Sequence, residues 1–517
     1  MPESAPDELD RLLTAAQAAQ RMPAVSAAAF TGGETLWERA LGLADVRGDE
    51  AATPAHAYRI GSITKTFTAV LVLQLREDGL LELDDELRAH IAEVPPGPTV
   101  RHALAHVSGI QREPPGEIWE TLRPPSRDDL LAGLAEAEQV LPPGRRWHYS
   151  NLAYGLLGEV VARLRGGGYR DVLQERVLDP LGLSRTGLDP KAPAATGYYV
   201  HPWTDAATVE PDMELTEATA ALGQLWSTTG DLARFGAFLA EGDDSVLPVT
   251  VLDEMARVAV MADQDAWTVA WGLGLGLYRR GDRVYAGHGG AMPGFLASLV
   301  LDRRDGVGAV VLTNSGAGPK VETLALDLAD AAHRLTAPPA VEWSPDEGAP
   351  VEVAPMLGAW WTEGSELRIT WRDGRLRADI LSGSPWNRNS TFEPEGVDRW
   401  RCVEGRERGE LLRVVRDEAG APTKLYFATY PCTREPATEA HSSPGSGAER
   451  RRPRRTRRRR RRTPPAGRSP SAATSARSGA RPRRRQPIRR ARGSRPDGRR
   501  APAARARAAT TAGRRPG

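Results

Sequence analysis

Tyr58-Arg-Ile-Gly-Ser-Ile-Thr-Lys-Thr-Phe-Thr-Ala-Val-Leu-Val-Leu-Gln-Leu75 decides how the rest of the chain is read. The apolar run from Phe67 to Leu75 predicts a buried helix, entered at the flexible Gly61 and running from about Ser62 to Glu77. Ser62 and Lys65 stand at i and i+3 on one helical face, so hydroxyl and amine can meet. Burial disfavours the charged form of a lysine, and a neutral amine can act as a base. A serine needs such a neighbour to become a nucleophile. The stretch therefore predicts a pocket built around Ser62.

Composition gives Lys65 extra weight. Only Lys65, Lys191, Lys320 and Lys424 occur, and arginine fills nearly every other basic position. Where arginine is the default, a lysine offers what arginine lacks, a titratable amine. The formal net charge of +2 averages two unlike regions. Residues 436–517 hold 27 arginines and only three acids, Glu439, Glu449 and Asp497, while the preceding chain is strongly acidic. Two cysteines, Cys402 and Cys432, are too few for a disulfide framework or a cysteine metal site. The acidic start lacks the basic and apolar regions of a leader, and no stretch has the apolar length of a membrane span, so the reading is a cytoplasmic protein without membrane association.

Taken in order, the chain predicts an amphipathic helix at residues 7–20 and strands at Ala24–Phe30 and Thr35–Leu43. Helices follow at Val100–Ala105 and Arg127–Glu138, in the tail of Trp147–Gly158 running on to about Arg165, and at 169–178, 229–240 and 248–259. Strands return at Gly272–Arg279 and Asp282–Ala286, followed by Gly287-His-Gly-Gly-Ala-Met-Pro-Gly294. Two further strands, Phe295–Leu301 and Gly306–Thr313, precede a closing helix, Lys320–Leu335. Strands at both ends with helices between argue for an α+β first domain over residues 1–337, with an antiparallel sheet flanked by helices and an all-helical subdomain. Residues 338–355 read as a linker. Residues 356–435 read as a small all-β, barrel-like domain, with strands at Leu367–Trp371, Leu376–Ile380, Trp400–Val403, Leu411–Val415 and Lys424–Ala428. The arginine-rich residues 436–517 read as a disordered tail.

Three motifs stand in order: Ser62-Ile-Thr-Lys65, Tyr149-Ser-Asn151 and His288-Gly-Gly290. Together with Arg59-Ile-Gly-Ser62, Leu104-Ala-His-Val-Ser-Gly109 and Leu225-Trp-Ser-Thr-Thr-Gly-Asp-Leu-Ala-Arg234, they resemble the serine β-lactamase and penicillin-binding-protein superfamily, most closely its class C-like branch. The resemblance covers about residues 7–335 and implies the β-lactamase/transpeptidase-like fold. It implies that Ser62 attacks a carbonyl carbon to give an acyl-enzyme, that Lys65 helps remove the serine proton, and that Tyr149 shuttles a proton to the leaving group. Asn151 is expected to hydrogen-bond Lys65 and the acyl side of the substrate. His288, where relatives often carry lysine, is expected to tune Tyr149 or meet the substrate's polar end beside Gly290. The oxyanion hole is expected from the backbone N–H groups of Ser62 and Ala291.

One departure from the family pattern bears on substrate. Gly289 stands where many relatives carry a hydroxyl residue, and with His288 in place of lysine the anchor for an anionic antibiotic is weak. An ester or amide hydrolase acting on a small molecule or peptide is the favoured reading. A β-lactamase, a D-Ala-D-Ala-type carboxypeptidase or D-aminopeptidase is the rival of the same class, and a non-catalytic binding protein on the same scaffold, or nucleic-acid association through the tail, the rival of another. No His/Asp/Glu cluster has metal-ligand spacing, so neither metal nor cofactor is expected. His106 reads as support for a turn and His148 as surface-facing. The tail has no interleaved aromatics for base stacking, which disfavours a nucleic-acid partner. Oligomeric state is not legible.

Overall fold

The computed structural model describes residues 5–336, 343–345, 348–381 and 390–436. The expected tail, and part of the expected linker, lie outside the described residues. The chain divides into two compact units after Ser344.

The first unit is built on nine antiparallel strands: β1 (Ala24–Thr31), β2 (Glu34–Asp45), β3 (Glu50–Ala51), β4 (Val260–Met261), β5 (Val269–Trp271), β6 (Gly276–Arg280), β7 (Arg283–Met292), β8 (Phe295–Asp302) and β9 (Val307–Thr313). Their order is β3-β2-β1-β9-β8-β7-β6-β5-β4. The first and last long strands are neighbours, paired from Val25 opposite Thr313 to Thr31 opposite Val307. All seven residues of β9 are buried, which explains its unbroken apolar sequence, since a strand covered on both faces does not alternate.

Helices α1 (Ala5–Ala19) and α5 (Val321–Thr336) cover one face, where Leu9, Leu13, Leu324 and Leu328 meet Val25, Ala27, Val300 and Val311. The other face carries the larger core, with α2 (Thr64–Glu77), α3 (Asn151–Arg165) and α4 (Thr229–Glu241). There Phe67 and Phe235 stack at 3.7 Å beneath Phe30 and Leu299. On α2 every residue from Thr64 to Leu75 is buried. Two of its threonines are answered by distant backbone: Thr66 donates to the Gly274 carbonyl at 3.0 Å and Thr68 to that of Ala221 at 2.7 Å. A helix buried on every face must be surrounded, and α2 is the axis of the helical half. Among the described residues no helix is long and apolar enough to cross a membrane.

Two strand expectations are corrected. Gly272–Arg279 is not one strand, because the chain turns at Gly272–Leu275, where Gly274 takes φ +80° and the Gly272 amide bonds the Leu275 carbonyl. The strand expected at Asp282–Ala286 does not stop there but runs from Arg283 to Met292. His288, Gly289 and Gly290 lie inside β7, opposite Leu299, Ser298 and Ala297 of β8.

The second unit is an eight-strand antiparallel meander: β10 (Gly358–Thr362), β11 (Ser365–Arg372), β12 (Arg375–Ile380), β13 (Ser390–Gly396), β14 (Arg399–Glu404), β15 (Leu411–Arg416), β16 (Pro422–Phe427) and β17 (Tyr430–Cys432). Trp361 and Thr433 exchange backbone bonds of 2.7 and 2.9 Å, so the last strand returns to the first and closes the barrel. Trp360 and Phe392 fill its interior with Leu367, Leu376, Leu412 and Leu425. The Asp373-Gly374 hairpin takes positive φ at both residues, the geometry of a tight turn between right-twisted strands. Cys402 and Cys432 are buried free thiols.

Candidate active site

Ser62 stands in a short 3-10 turn, Gly61–Ile63, that feeds directly into α2. The turn places Lys65 one step inside the helix, fully buried, with its Nζ donating to Ser62 Oγ at 3.0 Å and also to the Leu222 carbonyl. Burial drives the amine down to about 7, with Glu113 opposing and Arg112 assisting. At neutral pH much of Lys65 is therefore unprotonated and able to accept the serine proton.

Strand β7 presses against this turn so closely that only glycines fit. A Cβ on Gly61, whose φ is +50°, would lie 2.5 Å from the Ala291 amide nitrogen. A Cβ on Gly290 would lie 1.9 Å from the Ile60 carbonyl oxygen and 3.2 Å from the Ser62 nitrogen. The amides of Ser62 and Ala291 thus border one junction. Gly290→Ala is expected to force β7 from the turn, lowering kcat by about a hundredfold or more and destabilising the protein by about 1–3 kcal/mol. Ester turnover and thermal unfolding on the same preparation check both.

Tyr149 is the last residue but one before α3. Ser150 caps that helix, its Oγ accepting the Ala153 amide at 3.0 Å and donating to the Gln111 carbonyl at 2.7 Å. The Ser150 amide donates to His106 Nδ1 at 3.1 Å, and the His106 ring stacks on Tyr149 at 4.1 Å. Accepting at Nδ1 fixes His106 as the neutral Nε2–H tautomer, and burial holds its pKa well below the ordinary value. His106 is therefore more than a turn support: it is one wall of the Tyr149 slot. His148 is only half-exposed and its Nδ1 is buried, so it is not simply surface-facing. The Tyr149 phenol is lifted well above its usual range by burial, a hydrogen bond to Ser62 and the Arg112 charge pulling the other way. At rest it is a protonated hydroxyl beside the nucleophile, with Lys65 Nζ 5.2 Å from its ring centre.

Asn151 corrects an expectation. Its Nδ2 donates to both oxygens of Glu113, at 2.8 and 3.0 Å, and its Oδ1 is buried without a partner; no bond joins it to Lys65. The amide is committed to a carboxylate 38 residues away. His288 is 3% exposed and held down to about 3, chiefly by burial and then by Lys65, so it is neutral. It lies 6.2 Å edge-on to Tyr149, with Nδ1 paired to the Gly289 carbonyl and Nε2 buried and unpaired. It supplies no positive charge to an anionic substrate group.

These groups open on a cleft of about 670 Å³ lined by Ser62, Tyr149, Asn151, His288, Gly290 and Ala291 together with Arg112, Trp147, Trp271 and Tyr278. Arg112, Glu113 and the two tryptophans escaped the sequence reading, although Arg112-Glu113 follows the Leu104–Gly109 phrase almost directly. A separate group also escaped it: among the described residues Asp302, Asp305 and His333 bring ligand atoms within 4.8 Å of one another. Arg283 and Arg304 each stand 3.8 Å from the same Asp302 oxygen and supply counter-charge there.

A family model described as Beta-lactamase matches residues 9–333, and one described as Domain of unknown function (DUF7586) matches residues 349–434. Penicillin-binding protein 4 of Amycolatopsis lactamdurans is 30% identical over 376 residues, covering 66% of this chain and 94% of that protein. Beta-lactamase-like protein 2 of Dictyostelium discoideum is 30% identical over 253 residues, 45% of each. The octameric penicillin-binding protein homologue from Pyrococcus abyssi shares the fold with a TM-score of 0.57 at 22% identity, over 82% of this chain and 99% of that one. A D-stereospecific amidohydrolase from Streptomyces sp. aligns with a TM-score of 0.54 at 25% identity, over 65% of this chain and 100% of its own.

Proposed function

The chain belongs to the beta-lactamase family of serine hydrolases, and on that premise we propose that Ser62 cleaves a small ester or amide rather than a β-lactam. The observation that carries this reading is the 3.0 Å contact between Ser62 Oγ and a buried amine titrating at about 7. Neutral Lys65 takes the Ser62 proton as Oγ attacks the carbonyl carbon. The tetrahedral oxyanion is received by the Ser62 and Ala291 amides. Tyr149 gives its proton to the departing oxygen or nitrogen and regains one from Lys65, leaving the acyl-enzyme. Water then attacks the acyl carbon and gives up a proton through Tyr149 and Lys65. Collapse returns the proton to Ser62 and frees the acid.

The substrate side of the reading rests on β7. Neutral His288 and side-chain-free Gly289 leave β7 without a charged anchor for a carboxylate, the cations that line the cleft, Arg112 and Lys320, lying off that strand, and a hydrogen bond to a charged group is worth about 1.5–3 kcal/mol. A chromogenic ester is therefore expected to exceed a chromogenic cephalosporin in kcat/KM by about tenfold to a hundredfold. A D-amino-acid amide belongs in the same panel, because the similarity to the Streptomyces amidohydrolase favours amide cleavage. Cephalosporin turnover without esterase or amidase activity would overturn the ordering in favour of the β-lactamase or peptidase reading. The two free buried thiols suit a reducing compartment such as the cytoplasm.

A further inference from the structure

We infer that Arg112 and Glu113 are positioning residues that set the pH at which Ser62, Lys65 and Tyr149 work, with Arg112 supplying the fixed cation that position 288 lacks. The inference rests on the hydrolase reading above.

The geometry begins with the backbone. The Arg112 carbonyl accepts the amides of Asn151 at 2.7 Å and Leu152 at 3.1 Å, so residue 112 is stitched to the first turn of α3 whatever its side chain. From there the guanidinium lies over the cleft, its Cζ 5.2 Å from the centre of the Tyr149 ring. Glu113 holds Arg112 Nε at 3.2 Å with one oxygen and grips the Asn151 amide with both. A cation and an anion one residue apart thus bracket the second motif.

Of the other titratable groups around Tyr149, Lys320 and Glu322 bring one charge of each sign to the cleft lining, beside Tyr278, whose phenol burial and Glu322 keep protonated. His106, stacked on it, is neutral because Nδ1 accepts a backbone amide, and His288 is neutral because it is buried. His148 directly precedes Tyr149 in sequence, and its amide donates to the His106 carbonyl at 2.7 Å. Lys65 is itself a member of the working trio. Arg112 favours the deprotonated forms of both Lys65 and Tyr149, and Glu113 favours the protonated forms of both. The sign is the same whichever group a measurement reports. The Arg112 side chain is 63% exposed, so solvent trims its effect and salt weakens it further.

The test is the pH profile of ester kcat/KM, together with the pH dependence of fluorophosphonate labelling of Ser62, which needs no turnover. Activity requires neutral Lys65 and rises with pH. Arg112→Gln is expected to move the midpoint of that rise to higher pH by about half a unit or more. Glu113→Gln, which keeps an acceptor for Asn151, is expected to move it to lower pH. Arg112→Lys restores the cation and the wild-type midpoint. Both displacements shrink in molar salt. A midpoint that stays put, or moves in the same direction in both variants while labelling persists, overturns the inference and leaves the hydrolase reading intact. Absence of Ser62-dependent labelling in the wild type defeats the hydrolase reading and the inference with it.

Discussion

Replacing Ser62 with alanine is expected to lower kcat by roughly ten-thousand-fold or more while leaving the fold untouched. The Oγ receives the Lys65 amine at 3.0 Å and has the Tyr149 hydroxyl beside it, so its removal takes away the nucleophile that both groups serve. The fold does not depend on it. The close junction between the turn and β7 is made by Gly61 and Gly290 and the backbone of Ile60, none of which the substitution alters. Burst-phase ester kinetics and a thermal unfolding curve on the same sample separate the two claims. Turnover within tenfold of wild type would show that the hydrolysis runs elsewhere.

Lys65→Arg is expected to be almost as damaging, at roughly a thousandfold in kcat/KM, because a guanidinium stays charged at any pH the protein survives. The wild-type amine titrates at about 7 in the fold against an ordinary 10.5. Its neutral fraction, and with it kcat/KM, rises as pH climbs through about 7 and falls away below. The same displacement fixes a stability trend. Between about 7 and 10.5 the unfolded chain holds a proton that the folded chain does not, so this group makes the protein more stable as pH increases across that window. Lys65→Met is expected to abolish the activity limb and the stability trend together, while near pH 6 it unfolds no earlier than wild type, since a buried ammonium is costly. A pH–rate midpoint near 7 that survives in Lys65→Met would assign the limb to another group.

What the chain revealed in advance follows the range of the interactions involved. Ser62 and Lys65 are separated by one helical turn, so their meeting is written in spacing alone. Strands β8 and β9 are dense apolar runs and were legible for the same local reason. The strands β10, β13 and β17 were not foreseen, because Gly358, Pro394 and Pro431 interrupt the β-rich pattern and closure of a barrel tolerates them. The commitment of Asn151 to Glu113 and the stacking of His106 on Tyr149 depend on loops 38 to 43 residues apart in sequence being brought together. No periodicity records such a meeting. Nor could composition tell that Gly290 sits against Ile60, although a glycine with no turn to make, lying within a strand, is the mark of a close backbone approach.

The pairing of β1 with β9 has a temporal consequence. Val25 lies opposite Thr313, so the middle of the sheet is assembled from the two ends of a stretch nearly three hundred residues long. During synthesis β1 and β2 emerge early as a hairpin whose inner edge has no partner until β9 leaves the ribosome. Ser62, Lys65 and Tyr149 are all made before β7, which walls their turn, exists. Ladders so distant in sequence close slowly, so the nascent chain holds an exposed strand edge and an unfinished nucleophile turn for most of its translation. Catalytic competence arrives only with the final third of the first unit.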